Sequence, residues 1–236
     1  MSIRPIDIAK KLNISTSALR HYEEWGIIPP VERGSNGYRI YTATHIAYFE
    51  CIRAMSPGFG MELTKVVLRK LLKQEYDEAL WLVTQAQAEL HREKLMADKT
   101  ILVLDTKELD NVDARGRKRW MTIGEVSRET LIPATAIRHW EKMGLIRVGR
   151  NPENSYRSFS PTQIRQILII GTLRMAVWSL DTIKEVIREL DHNNLEQARR
   201  IARDALHYLN VKNRNRMRGI RYLERLIELL EEQPEH

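Results

Sequence analysis

Two arginines, Arg20 and Arg138, each stand about one helical turn beyond a short run of small residues. Ser15, Thr16 and Ser17 precede the first; Ala134 and Thr135 precede the second. Small side chains at the start of a helix keep its tip slim enough to enter the major groove of a duplex. An arginine three or four residues further on shares that face and reaches a phosphate or a base edge. His21 and Tyr22 follow Arg20, and His139 and Trp140 follow Arg138, the larger rings being expected to pack on sugar and phosphate. Tyr38-Arg39 and Tyr156-Arg157 then place an aromatic beside a cation, a pair suited to clamping backbone or minor groove. Leu19 and Ile137 fall on the opposite helix face and are expected to point inward. A single surface arginine is ordinarily only solvated, and a single tyrosine ordinarily packs. The weight lies in the recurrence.

That recurrence runs along the chain. Ala18-Leu19-Arg20-His21-Tyr22-Glu23 returns 118 residues later as Ala136-Ile137-Arg138-His139-Trp140-Glu141. The same offset carries Ile8 onto Val126, Ile14 onto Ile132, Gly26 onto Gly144, Ile28 onto Ile146, Tyr38 onto Tyr156 and Arg39 onto Arg157. After a slip to a register of 119, Leu82 meets Ile201, Ala86 meets Ala205, Leu90 meets Leu209, Ile101 meets Ile220 and Leu104 meets Leu223. A series this long marks a fused duplication.

The elements that must position these residues follow from local signals. Pro5–Leu12 reads as a short helix with Ile8 and Leu12 inward. Ser15 is placed to cap a second helix, which stops at Gly26. Residues 27–41 hold Pro29, Pro30, Gly34 and Gly37 among β-favouring residues and read as a two-stranded wing. Helices are expected near Thr44–Met55 and Met61–Leu72. A stretch without Gly or Pro, Tyr76–Leu104, would form a helix about 43 Å long. The second half repeats this order and ends in a longer helix from about Leu195 to Glu232. Arg115, Gly116, Arg117, Lys118 and Arg119 lie between the halves in a basic linker, read as solvated rather than as a phosphate contact.

The predicted organisation is therefore a winged helix-turn-helix domain over 1–73, a long helix over 74–109 and a linker over 110–119. A second such domain covers 120–192 and a second long helix 193–236. The fold class is mainly α, with the two long helices pairing as an antiparallel coiled coil through their apolar stripes. The polar middles, His91–Thr100 and Asn210–Gly219, are expected to face each other.

Composition narrows the function. The 236 residues are 43% hydrophobic and 29% charged, with 38 Lys+Arg against 31 Asp+Glu, for a formal net charge of +7. The pI near 9.5 suits a polyanionic partner. One cysteine, Cys51, excludes an intramolecular disulfide and a Cys-based metal site within one chain. It lies among Ile46, Phe49 and Ile52 and reads as a buried structural thiol. No apolar h-region or membrane-length run occurs, so a cytoplasmic protein is expected. No phosphate-binding glycine loop, zinc motif or nucleophile motif is found, which argues against an enzyme and implies no cofactor and no metal. Trp81 and Trp178 read as core rather than as a ligand box.

Ile8-Ala9, Ile14-Ser15, Leu19-Arg20-His21-Tyr22-Glu23, Gly26 and Asn36-Gly37-Tyr38-Arg39-Ile40-Tyr41 closely resemble the MerR family of bacterial transcription regulators. Gly58-Phe59 resembles the family's helix connection. The second half departs further: Pro133 replaces the capping Ser, Ser155 the wing Gly and Phe159 the Tyr, and in both halves a His, His21 or His139, replaces the first Tyr of the run. The resemblance implies sequence-specific binding of double-stranded DNA at a promoter, distortion of an overlong spacer, and RNA polymerase as a partner. It also implies homodimers whose long helices pair antiparallel. Here both heads and both helices lie in one chain, and ten linker residues reach at most about 33–36 Å. A monomeric pseudo-dimer on an imperfect palindrome is therefore expected, ahead of a homodimer with four heads. The alternative function keeps one head on DNA and makes the other, most readily the second, a protein-interaction module. Repressor, architectural protein and activator all remain open.

Overall fold

The computed structural model describes residues 4–35, 37–105, 120–150, 156–175, 183, 187 and 195–232. The 110–119 linker, Trp178, Asn36 and Ser155 lie outside them. The chain divides into two compact units: Met1–Leu90 with Asn210–His236, and His91–Leu209.

In the first unit, α1 (Pro5–Leu12) starts with Pro at its first position, where the missing N–H costs nothing, and ends at Asn13 in the left-handed region. Ser15 caps α2 (Thr16–Glu24) by accepting a bond from the Ala18 N–H at 3.2 Å, and Gly26, at φ +61°, stops it. The wing is β1 (Glu32–Arg33) paired antiparallel with β2 (Arg39–Ile40), Glu32 opposite Ile40 and Arg33 opposite Arg39. Thr42 and His45 form a capping box for α3 (Ala43–Phe59). This helix runs four residues past its expected end at Met55 and passes through Pro57. So close to the C-terminus, a proline removes one bond without breaking the helix. Next come α4 (Met61–Leu72) and α5 (Tyr76–Asp105).

The second half repeats this plan. The helices α6 (Ile123–Thr130) and α7 (Ala134–Lys142) begin and end 118 positions after α1 and α2. Thr122 and Glu125 form a capping box for α6, and Leu131 takes the left-handed place of Asn13. Pro133 precedes α7 and makes no side-chain cap bond. In the second wing, Gly149 of β3 (Gly149–Arg150) pairs with Ser158, and Arg150 with Arg157, of β4 (Arg157–Ser158). Whereas β4 keeps the 118 offset, β3 stands 117 after β1. The connection from α7 is therefore one residue shorter and the wing turn one residue longer. Last come α8 (Pro161–Met175) and α9 (Leu195–Glu231).

Each unit has its own core. In the first, Ile8, Leu19, Ile27, Tyr41, Phe49 and Ile52 pack with Ala79 and Val83 of α5 and with Leu223, Leu226 and Ile227 of α9. In the second, Val126, Ile137, Ile146, Phe159, Ile167 and Ile170 pack with Leu104 of α5 and with Ile201 and Ala202 of α9. The first head thus takes its closing apolar residues from the helix written in the second half. Arg216 of α9 is only 7% exposed, donating from Nε to Gly58 O at 2.9 Å and from Nη1 to Ala86 O at 2.5 Å. In the second unit, Thr100 of α5 is buried against α8, its hydroxyl 2.8 Å from that of Thr172. Arg216 and Thr100 both come from the supposed polar middles of the long helices. Each spends its polar group on a head.

An aromatic on α5 differs from expectation. Trp81 is 71% exposed rather than core. The buried stripe of α5 is Ala79, Val83, Ala86 and Leu90, and a residue two positions after Ala79 turns away from it.

Candidate nucleic-acid interface

The tip of α2 is built by its cap. The Ser15 hydroxyl receives the Ala18 N–H and lies 2.8 Å from the Ser17 hydroxyl. Ser15 and Ser17 are exposed, Thr16 half-buried, and Arg20 exposed one turn on. Leu19 faces inward and is fully buried, which fixes the rotation of the helix and turns Arg20 outward. The α7 tip has the same geometry: Ala134 half-buried, Thr135, Arg138 and His139 exposed, Ile137 buried. Exposed side chains therefore cluster on one face at each helix start, as the spacing predicts.

Tyr22 and Trp140 do not join that face. They are 6% and 7% exposed and belong to the two cores, with Tyr22 tilted against Phe49 at 6.0 Å between ring centroids. Both follow the buried Leu19 or Ile137 by three positions and so share its inward face. Burial raises the Tyr22 hydroxyl pKa, and nearby Arg53 offsets part of that shift. The rings support α2 and α7 from beneath, which corrects the expectation that they lie on the exposed face.

The wing pairs also divide. Tyr38 and Tyr156 are each 72% exposed, the placement expected of a groove or backbone contact. Arg39 and Arg157 instead turn back onto the recognition helices. Arg39 Nε donates to Glu23 Oε2 at 2.6 Å, and Arg157 Nε donates to Glu141 Oε2 at 2.7 Å. The bond to Glu23 is the main cause of a raised Arg39 pKa. These arginines tie wing to helix through their Nε atoms. Glu23 and Glu141 went unnoticed as site residues, although the Glu-to-Arg spacing of 16 recurs in both halves and was visible in the repeat.

His21 and His139 are both exposed, but their neighbours differ. His21 Nδ1 lies 3.0 Å from Glu24 Oε2, and its ring stacks on Trp25 at 6.0 Å. Lys142 stands where Glu24 does in the first head. Behind α2, Lys65 Nζ sits 4.2 Å over the Trp25 ring and Arg69 donates to Trp25 O at 2.8 Å, so α4 fixes the C-terminal end of α2. Among the described residues no three His, Cys, Asp or Glu side chains converge as metal ligands, and no helix is long and apolar enough to cross a membrane.

A short helix, a left-handed turn, a second helix with an exposed tip and a two-stranded wing, present twice, define a protein with two winged helix-turn-helix units. Comparison with known proteins identifies the kind. Residues 4–41 match the MerR family of regulatory proteins, and residues 121–190 match the MerR HTH family of regulatory proteins. The chain carries two MerR-family units, one in each half. Similar proteins include HTH-type transcriptional regulator CueR of Salmonella typhi, 42% identical over 57 residues, or 24% of this chain and 41% of that protein. HTH-type transcriptional regulator AdhR of Bacillus subtilis is 38% identical over 56 residues, 23% of this chain and 40% of that protein. Heavy metal-dependent transcription regulator 2 of Rhizobium meliloti is 30% identical over 67 residues, 28% of this chain and 46% of that protein. The chain thus spans about two fifths of the length of the first of these relatives. No solved structure matches the chain significantly.

Proposed function

We propose that the chain is a sequence-specific, double-stranded-DNA-binding transcriptional regulator. Each head enters a major groove with the tip of α2 or α7, Ser17 and Arg20 in one and Thr135 and Arg138 in the other. Tyr38 and Tyr156 reach the flanking backbone from the wings. The observation that carries this reading is the doubled, outward-facing tip on two MerR-family units. Arg20→Ala and Arg138→Ala should each weaken binding to a selected operator and flatten its salt dependence. Unchanged affinity and an unchanged salt slope in both variants would overturn the reading.

The two long helices pair antiparallel within one chain, and the pseudo-dimer recognises an imperfect palindrome as a monomer. Its support is the shared cores: the first head closes on Leu223, Leu226 and Ile227 of α9, and the second on Leu104 of α5. At a promoter this arrangement would bend and untwist an overlong spacer for RNA polymerase, at a deformation cost of several kcal/mol. Permanganate probing of a DNase-protected site tests that step; protection without reactive bases favours a repressor.

A second reading rests on Leu131 and Met143, exposed beside α7 where the first head has Asn13 and Trp25. In it the second head contacts a protein partner. An Arg138→Ala substitution without effect on DNA binding would favour it.

A further inference from the structure

The two heads share a framework but not a charge. From the first residue of α2 through the end of β2, residues 16–40, three cations stand against three anions; over residues 134–158 five cations stand against two anions. The difference is concentrated at the rim of the proposed DNA face. One turn beyond Arg20, on the same helix face, the first head has Glu24. One turn beyond Arg138 the second head has the exposed Lys142. Between helix and wing the first head has Pro29 and Pro30, and the second has the exposed Arg147. In β1 the exposed Glu32 pairs across from Ile40, and its counterpart by strand register, Gly149 across from Ser158, has no charge. Arg33 and Arg150 occupy the same place in the two wings and cancel from the comparison.

From this asymmetry we infer that Lys142 and Arg147 make the second head the electrostatic anchor of the molecule, holding phosphates of the duplex backbone beyond the C-terminal end of α7. The first head, with Glu24 and Glu32 at the same rim, contributes little of that attraction. Phosphate contacts set affinity and register but carry no base information. The anchor therefore strengthens binding to every sequence alike, and leaves discrimination to the helix tips. The inference rests on the DNA-binding reading above.

The test uses the full chain and two probes: a short labelled duplex of random sequence, and an operator selected from a random library by the wild-type protein. Neutralising both residues, Lys142→Gln with Arg147→Gln, should reduce the slope of log affinity against log salt by about 1 to 2, at roughly 0.9 per lost phosphate contact. Affinity for the two probes should fall by the same factor. Removing the acidic rim of the first head, Glu24→Lys with Glu32→Gln, should steepen the slope by about 1 on both probes. All four positions are on the surface, and thermal melts matching wild type verify the folds. An unchanged slope in the Lys142 and Arg147 variant overturns the inference. So does a fall confined to the selected operator, which would make these residues base readers, and so does a first-head variant with an unchanged slope. A wild-type chain that binds neither probe refutes the DNA-binding reading itself and the inference with it.

Discussion

At the scale of single residues, the wing arginines show how a chemical group acquires its role from its partner. Arg39 and Arg157 have the charge and the reach to bind phosphate, yet each is held by a carboxylate on its recognition helix. Such partly exposed pairs are worth on the order of 0.5–1 kcal/mol. A double-mutant cycle of Arg39→Met with Glu23→Gln should return a coupling of that size in urea unfolding. Arg39→Met should weaken operator binding through a displaced wing while leaving the salt slope nearly unchanged; a slope loss equal to that of Arg20→Ala would restore Arg39 as a direct contact. Cys51 makes a second residue-scale prediction. Burial raises its thiol pKa from the ordinary 9.0 to about 12. The folded chain therefore keeps the proton in a range where the unfolded chain releases it. Stability contributed by the neutral thiol is complete below pH 9 and declines as pH rises towards 12. A thiol reagent at pH 8 should label Cys51 only after denaturant is added, and Cys51→Ala should soften the alkaline loss of stability.

At the scale of elements, the close approach of α9 to α3 explains two glycines and one buried cation. A Cβ on Gly58 would stand 2.6 Å from Arg216 N, and one on Gly219 would stand 3.0 Å from Met55 Cα. Glycine in mid-helix ordinarily weakens it; here it lets two backbones meet. Arg216 then satisfies the Gly58 carbonyl near the end of α3, where the helix dipole favours a cation, and its guanidinium carbon lies 5.0 Å over the Phe59 ring. Gly58→Ala should cost about 1–3 kcal/mol through overpacking. Arg216→Met should cost less than Arg216→Ala, since the longer side chain still fills the volume over Phe59. Chemical denaturation of the three variants checks both expectations; equal losses for Met and Ala would assign the whole effect to the guanidinium.

At the scale of the whole molecule, the first head's core includes residues written more than two hundred positions after its start. A fragment ending at residue 109 lacks Ile220, Leu223, Leu226 and Ile227. It should therefore expose Ala79, Val83 and Ala86, and either aggregate or self-associate. Size-exclusion with light scattering on the fragment and on the full chain separates the cases. The expected result is a monomeric full chain and a fragment that is not a folded monomer; a stable, monomeric, cooperatively melting fragment would remove the support for pairing of the halves within one chain.

Much of this was legible without coordinates. The duplicated register, the cap at Ser15, the stops at Gly26 and Gly144, and the inward Leu19 and Ile137 are local, set by steric and hydrogen-bonding preferences over a few residues. They determined two helix-turn-helix units with outward Arg20 and Arg138. Even the exposure of Trp81 was implicit in the stripe of α5. Only the folded chain decided which polar groups become structural. Arg39 bonds Glu23 across 16 residues, Arg216 meets Gly58 across 158, and the shift of β3 by one residue separates Arg150 from the place sequence register assigns it. The physical reason is that a charge takes its role from whatever carboxylate, carbonyl or ring lies within a few ångströms. That neighbour comes from a distant part of the chain, brought near by burial of apolar surface that local patterns do not pair.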